Sequence, residues 1–492
     1  MKVKKYARFL LLLCWLPALF LLQACPDPLE KEEQAKIKDD PDYKAKDSLR
    51  SYYMDVFYYW RDEVMTRNAA LKPYDYSIED FFKKMLYSKD RWSWMCSRED
   101  FIADETGIVS ETWGVSIGQA IEGYGDYGLH IRYIYPGSPF ESHGVTRGAV
   151  LTKMDGFSVE DDDQGFSKEK ANYFNENFYS KKTQTFTFRL ADGTETTFTA
   201  TMKDSLKTHT NLITRIIQPS DYPGLTRPVG YFHYLAFKAN FLDDIAQSMT
   251  YFHDQGIRDL IVDLRYNGGG DSRASDTLMT YLAPSSAVGK PYVVRHHNSY
   301  LASLDKDFSD EANTIPIGAN AKALNLDHLY FITGAGSASA SEMVINGLKP
   351  YMGEKLQMVG DTTYGKPNGM YVLMYPGKSE DHKRYNQNPP DYSRLRWVFL
   401  PIAFFNENSK GESIPWDGFV PDYYCPDDLY HDFGVGEAAV KACLTHLSTG
   451  TYPSVSPRPA SVATPRSKSG YRVDTEEDRP NYGSYRVRER FF

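Results

Sequence analysis

The chain has little cysteine: five in 492 residues, two of which, Cys14 and Cys25, fall in the first 25 positions. Cys96, Cys425 and Cys443 are too scattered for a disulfide framework or a zinc ligand set, although a Cys425 to Cys443 bridge stays open in an oxidising compartment. The eleven histidines include no His-Glu-x-x-His pattern, so the usual signature of a zinc hydrolase is missing. No metal and no cofactor is expected. Basic excess is also missing: 56 Lys and Arg stand against 65 Asp and Glu, a net charge of −9, which argues against a nucleic-acid partner. Beyond residue 22 no apolar run is long enough to cross a bilayer. A chain of this length exceeds one hydrophobic core, so two or three domains are expected.

What is present begins with a leader. Lys2, Lys4, Lys5 and Arg8 precede the apolar stretch Phe9 to Leu22, and Leu22-Gln-Ala-Cys25 follows. Residues 1–25 read as an export signal whose last four positions resemble the bacterial lipobox. That resemblance implies lipidation of Cys25 and a membrane anchor in place of a spanning helix. The expected location is the bacterial cell envelope, facing the periplasm or the cell surface. Residues 26–48 mix Lys, Glu and Asp with few apolar groups and read as an acidic linker.

Over residues 49–110, Tyr53, Val56, Phe57 and Trp60, then Phe81, Phe82, Met85 and Leu86, recur at helical spacing and predict a small helical domain. Residues 111–203 change to short β-type runs, Trp113 to Ile117, Leu129 to Ile134, Val150 to Met154 and Thr185 to Leu190. The segment Tyr133 to Gly156, with its Gly-Ser-Pro turn and closing Asp-Gly, resembles the PDZ family. Such domains take a peptide as an added strand and hold its terminal carboxylate on loop amides. Trp113, Gly114, Val115 and Ser116 lie where the matching loop is expected. Residues 204–447 alternate buried strands and helices, which predicts an α/β domain, and 448–492 read as a disordered tail.

Three segments of the α/β domain carry candidate chemistry. The strand Leu329 to Ile332 runs into Gly334-Ala-Gly-Ser-Ala-Ser339-Ala-Ser-Glu342, and Lys366 follows 27 residues after Ser339. Ser339 and Glu342 fit a Ser-x-x-Glu capping box, in which the serine oxygen only satisfies a helix amide. The same helix start also aims amides at negative charge forming beside the serine. A serine needs a base, and a lysine serves when burial disfavours its charged form. If the strands Leu329 to Ile332 and Leu356 to Val359 are parallel neighbours, their loops bring Ser339 and Lys366 to one end of the sheet. The third segment, Leu260 to Asp271, is a buried strand flowing into Gly268-Gly-Gly270, either a flexible loop or a surface of bare amides. A dinucleotide-binding reading of Gly334-x-Gly336 lacks its third glycine.

Together, Asp-Leu-Arg-x-Asn-x-Gly-Gly, Ser-Ala-Ser-Ala-Ser-Glu and Thr-x-Gly-Lys resemble the C-terminal processing peptidases, also called tail-specific proteases, over about residues 111–425. The resemblance implies a multidomain α/β protein: a crotonase-like α/β spiral protease domain, preceded by a PDZ domain and a small helical domain. It implies Ser339 as nucleophile, Lys366 as general base, and amides of Ala340 and Gly269 as oxyanion donors. The implied activity is a serine endopeptidase on unfolded polypeptides or their C-termini. The chain departs from relatives that carry a third polar residue: Pro350 stands at the position of their Asp, and Met370 at that of their Gln. These departures motivate the alternative of a catalytically impaired, peptide-binding lipoprotein.

Overall fold

A computed structural model of the chain describes residues 28–109, 111–119, 128–162 and 166–454. The leader with Cys25, and the tail from residue 455 onward, lie outside the described residues. Among the described residues, Cys96, Cys425 and Cys443 are buried free thiols, so the open Cys425 to Cys443 bridge is not formed.

The parallel core of the α/β unit follows from four apolar strand runs that are buried along their whole length or nearly so, as strands covered on both faces must be. Its sheet runs in the order Asn211–Ile217, Val229–Tyr234, Asp259–Asp263, His328–Thr333, Leu356–Gly360, Tyr423–Tyr424. The first strand is antiparallel to the second, and every later pairing is parallel. One face is covered by the helices Leu242–Asp254, Ser272–Leu282 and Ala340–Met352, whose Ile245, Leu278, Val344 and Leu348 pack on Phe232, Leu260 and Phe331. The other face is covered by the Ala438–Thr449 helix through Val440, Cys443 and Leu444 against Tyr231, Ile261 and Ile332. Loops leaving the carboxyl ends of adjacent parallel strands gather at one edge, the usual site of ligand chemistry in open α/β sheets. Residues 264–271, 334–339 and 361–367 are three such loops.

A second, antiparallel sheet of Thr314–Pro316, Pro291–His297, Ile402–Glu407 and Asn368–Met370 has no counterpart in the sequence reading. Two of its strands are only three residues long, and the others mix apolar residues with Arg295, His296 and Asn406, which blurs the pattern that marks a strand. Residues 115–201 form an antiparallel sheet in the order Val115–Gln119, Leu129–Ile134, Val150–Met154, Thr183–Arg189, Glu195–Thr201, closed by the Lys168–Asn177 helix over a core of Trp113, Phe140, Phe174 and Phe186.

Two N-terminal expectations need revision. The stretch read as an acidic linker contains the helices Pro28–Asp39 and Tyr43–Ser48, and the second is built in: Ala45 and Lys46 are buried. The Lys46 ammonium tolerates this position because Asp40 pairs with it at 2.6 Å and the Tyr76 carbonyl accepts from it at 2.7 Å. The helical segment after it is not self-contained either. Tyr53, Phe81, Phe82 and Met85 share one core with Met370, Val398, Phe399 and Ile402.

The β-rich segment joins the α/β unit through a buried charge cluster. Arg147 donates to Asp427 Oδ1 at 2.7 Å, to Tyr266 Oη at 2.8 Å and to the carbonyls of Arg132, Asp428 and His431. Arg265 beside it pairs with Asp263, Glu437 and Asp427. His233 is enclosed next to these groups, and burial pushes its imidazole down to about 4, with Asp263 opposing and Arg265 and Arg147 reinforcing the shift. The folded chain therefore holds His233 neutral where the unfolded chain, titrating near 6.5, takes up a proton. Stability from this group is complete above pH 6.5 and falls as the pH drops toward 4, by about 2 kcal/mol at pH 5. Urea unfolding at pH 7 and pH 5 is expected to show this loss, and a His233→Asn variant to show a smaller one.

Candidate active site

The three serines of the Ser-Ala-Ser-Ala-Ser run are all buried but are used differently. Ser337 Oγ donates to the Leu264 carbonyl at 2.8 Å and accepts from the Gly334 amide at 3.0 Å, which pins the turn to the neighbouring strand end. Ser341 Oγ donates to the Asn267 carbonyl at 3.0 Å. Ser339 Oγ, between them, has no hydrogen-bond partner. Its backbone sits at φ +53° and ψ −113°, a region that costs a non-glycine residue about 1–3 kcal/mol. An N-cap serine ordinarily has extended φ/ψ and accepts from the N2 or N3 amide. The capping box with Glu342 is present, and Glu342 closes it by accepting from the Ser339 amide at 2.9 Å, but Ser339 Oγ faces the first-turn backbone without completing a hydrogen bond of its own.

Glu342, read from sequence only as a cap partner, is the junction of the site. Its Oε2 accepts from the Ser339 amide at 2.9 Å and from the Lys366 amide at 2.9 Å. Its Oε1 accepts from the Gly365 amide at 2.7 Å and from Thr363 Oγ1 at 2.6 Å. One carboxylate thus joins the serine turn to the lysine loop. Burial pushes its pKa up, and these four donors pull against that shift. The Tyr364 amide adds a second tie, to the Ser337 carbonyl at 2.9 Å. Lys366 itself is fully buried, with Nζ 3.9 Å from Met370 Sδ. From the helical segment, Arg91 donates to the Gly365 carbonyl at 3.1 Å and to the Trp416 carbonyl, which holds the loop from its outer side.

The triple-glycine turn lies against the same serine. An ideal Cβ at Gly269, which has φ +97°, would stand 2.7 Å from the Ala338 carbonyl, 2.8 Å from Ser339 Cβ and 2.9 Å from the Ala340 amide. Glycine is required there to leave room in front of that amide. Ala340 is the first residue of its helix, where the helix offers no acceptor for the amide. The Gly269 amide differs from expectation. It donates to Asn267 Oδ1 at 2.9 Å, so an oxygen arriving beside Ser339 must displace that acceptor to use it. Asn267 also fixes the turn through Nδ2 to the Tyr234 carbonyl and through its own carbonyl to the Ala338 amide.

The expected peptide loop is also placed differently. Trp113 is a core residue, stacked on Phe140 with ring centroids 5.6 Å apart, and its Nε1 donates to the Phe178 carbonyl. The Gly114 amide donates to Thr112 Oγ1 at 2.9 Å, and its carbonyl accepts from Tyr135. The polar groups of both residues are thus engaged by partners inside the β-rich segment. Val115 and Ser116 belong to the edge strand, paired with Ile134 and Tyr133. Among the described residues no group of His, Cys, Asp and Glu is arranged to hold a metal ion.

Residues 228–382, which contain the glycine turn, Ser339, Glu342 and Lys366, match the model of peptidase family S41. The chain carries an S41 peptidase domain. It is similar to the carboxyl-terminal-processing protease of Synechocystis, 27% identical over 138 residues and covering 28% of each chain. It is also similar to the chloroplastic carboxyl-terminal-processing peptidase 3 of Arabidopsis thaliana, 26% identical over 294 residues, covering 59% of this chain and 49% of that one. The chain spans between about a quarter and a half of the length of these curated relatives. An S41 protease structure from Bacteroides fragilis superposes with a TM-score of 0.60 at 23% identity, covering 82% of this chain and 97% of that one, a likeness of fold.

Within the S41 domain, the junction at Glu342 gives a direct test. Glu342→Gln keeps the size but turns a donor toward groups that are themselves donors, leaving buried amides unmet at about 1–3 kcal/mol each. Urea unfolding of this variant is expected to show a loss on the order of 3 kcal/mol or more; an unchanged midpoint would refute the junction.

Proposed function

We propose that the chain is a serine endopeptidase of the bacterial cell envelope, acting through an acyl-enzyme on Ser339 with Lys366 as general base. The observation that carries this reading is the unpartnered, buried Ser339 hydroxyl on strained backbone, joined to the lysine loop by a shared carboxylate. Ser339 Oγ attacks the peptide carbonyl carbon and its proton passes to Lys366 Nζ. The carbonyl oxygen becomes an oxyanion facing the Ala340 amide, with the Gly269 amide joining once it leaves Asn267. Lys366 then gives its proton to the departing amine. A water molecule, deprotonated by the same lysine, cleaves the ester and restores the hydroxyl. Complete burial favours this use of a lysine, since low polarity disfavours the ammonium form.

The substrates are polypeptides, unfolded or presented by their C-termini. The edge strand Val115–Gln119 is the element to which an extended peptide would add. Lipidated Cys25 would hold the enzyme at the membrane. The second reading, a catalytically impaired peptide-binding lipoprotein, is favoured by one observation: Lys366 Nζ lies beside a thioether, a weak acceptor for orienting an amine.

Digestion of a denatured protein, followed by mass spectrometry of the released peptides, separates the two. Ser339→Ala and Lys366→Ala are each expected to lower turnover by roughly a thousandfold or more. Ser339→Ala should keep the wild-type melting temperature, because the lost oxygen makes no hydrogen bond. A serine-directed fluorophosphonate should label wild type and spare Ser339→Ala. Absent turnover in the wild type, with no labelling, would favour the impaired binder.

A further inference from the structure

One buried polar side chain near Lys366 is left unused by the mechanism above. Asn368 is fully buried, and neither its Oδ1 nor its Nδ2 has a hydrogen-bond partner. A buried amide without partners is destabilising, and an apolar residue of similar size would be the more stable choice for a merely structural position. Its setting in the fold is well defined. Asn368 opens the strand Asn368–Met370, opposite Phe405 on the neighbouring strand, and the adjacent Pro367 carbonyl accepts from the Asn406 amide at 2.8 Å.

The lysine side chain reaches the end of the strand that Asn368 opens. Lys366 precedes a proline, which biases its backbone to the extended region as the chain enters the strand Asn368–Met370. Four residues of extended chain span about 13 Å. Lys366 Nζ and Met370 Sδ are nevertheless 3.9 Å apart, so the two side chains lean toward each other along the strand. Asn368 is the residue that opens the strand segment lying between them in the chain.

We propose that Asn368 is the positioning residue for Lys366: its Oδ1 accepts from the amine and fixes Nζ for proton transfer with Ser339. The amide is neutral, so it orients the amine without stabilising the ammonium form as a carboxylate would. Met370 touches the amine with a soft, apolar group that supplies little orientation. The inference rests on the peptidase reading.

The test compares steady-state cleavage of a fluorogenic peptide with thermal unfolding. Asn368→Leu is expected to lower kcat by about 10- to 100-fold, part of the roughly 100- to 10,000-fold that a positioned proton transfer contributes, with KM within twofold of wild type. Its melting temperature should stay equal or rise, because an unmet amide has been removed. Adding Met370→Gln to Asn368→Leu puts an amide on the side chain that already touches Nζ and should restore at least a third of the lost kcat. Asn368→Ala serves as the second variant if the leucine does not fold. Wild-type kcat in the folded Asn368 variants overturns the proposal, as does a lost kcat accompanied by a lower melting temperature that Met370→Gln does not repair. If Ser339→Ala also retains turnover, the peptidase reading itself fails; if only the Asn368 variants do, the positioning role alone is lost.

Discussion

The site depends on one carboxylate. Glu342 stands in the first turn of its helix, where the aligned peptide dipoles favour a negative group, and it collects the amides of Ser339, Gly365 and Lys366 with the hydroxyl of Thr363. Serine turn and lysine loop are separated by a helix and a strand in the chain. Without a common acceptor nothing in their local sequence would fix the distance between them. Burying a carboxylate is costly, and its raised pKa records that cost. Four donors with good geometry are what make the burial sustainable.

Around that carboxylate the backbone itself leaves little freedom. Gly365 and Gly418, both at positive φ, lie so close to the Trp416 and Thr363 carbonyls that a Cβ at either position would overlap them. Thr363 Oγ1 completes the contact by accepting from the Phe419 amide while donating to Glu342. Arg91 then bridges the Gly365 and Trp416 carbonyls from the helical segment. The lysine loop is thus held by residues from near residue 91, near 342 and near 418. A helical segment read as a separate unit is, physically, one wall of the lysine's surroundings.

Much of the parallel core was legible in the sequence because buried parallel strands are continuous apolar runs and their helices carry apolar stripes. Leu260 to Leu264, Leu329 to Ile332 and Ser339 to Tyr351 have this form, and their order places the serine and lysine loops at one sheet edge. The antiparallel sheet through Asn368 was not legible, since a strand such as Asn368–Met370 is three residues long and takes its burial from distant partners. Arg147 and Asp427 were equally silent: a charged residue reads as surface until the fold shows its partners. The Ser-x-x-Glu spacing was read as a cap, and the box with Glu342 is present, but the spacing could not show that the hydroxyl itself is left without a hydrogen bond. Only the positive φ of Ser339 separates a hydroxyl turned to the helix from one left unpaired, and φ is not written in a four-residue motif.

Two of the side chains to which chemistry is assigned by proposal carry unmet polarity. Ser339 Oγ and both amide atoms of Asn368 are buried without hydrogen-bond partners, and Ser339 adds backbone strain. Their immediate neighbours are the reverse. Ser337, Ser341, Asn267 and Glu342 each satisfy two or more elements at once or tie one loop to another. A fold selected only for stability would exchange these roles, pairing the strained hydroxyl and replacing the lone amide with an apolar group. The surrounding network is extensive enough to hold the unpaired groups in place against that cost. The contrast between these saturated neighbours and the unpaired Ser339 hydroxyl and Asn368 amide is what supports the proposed roles of those two residues.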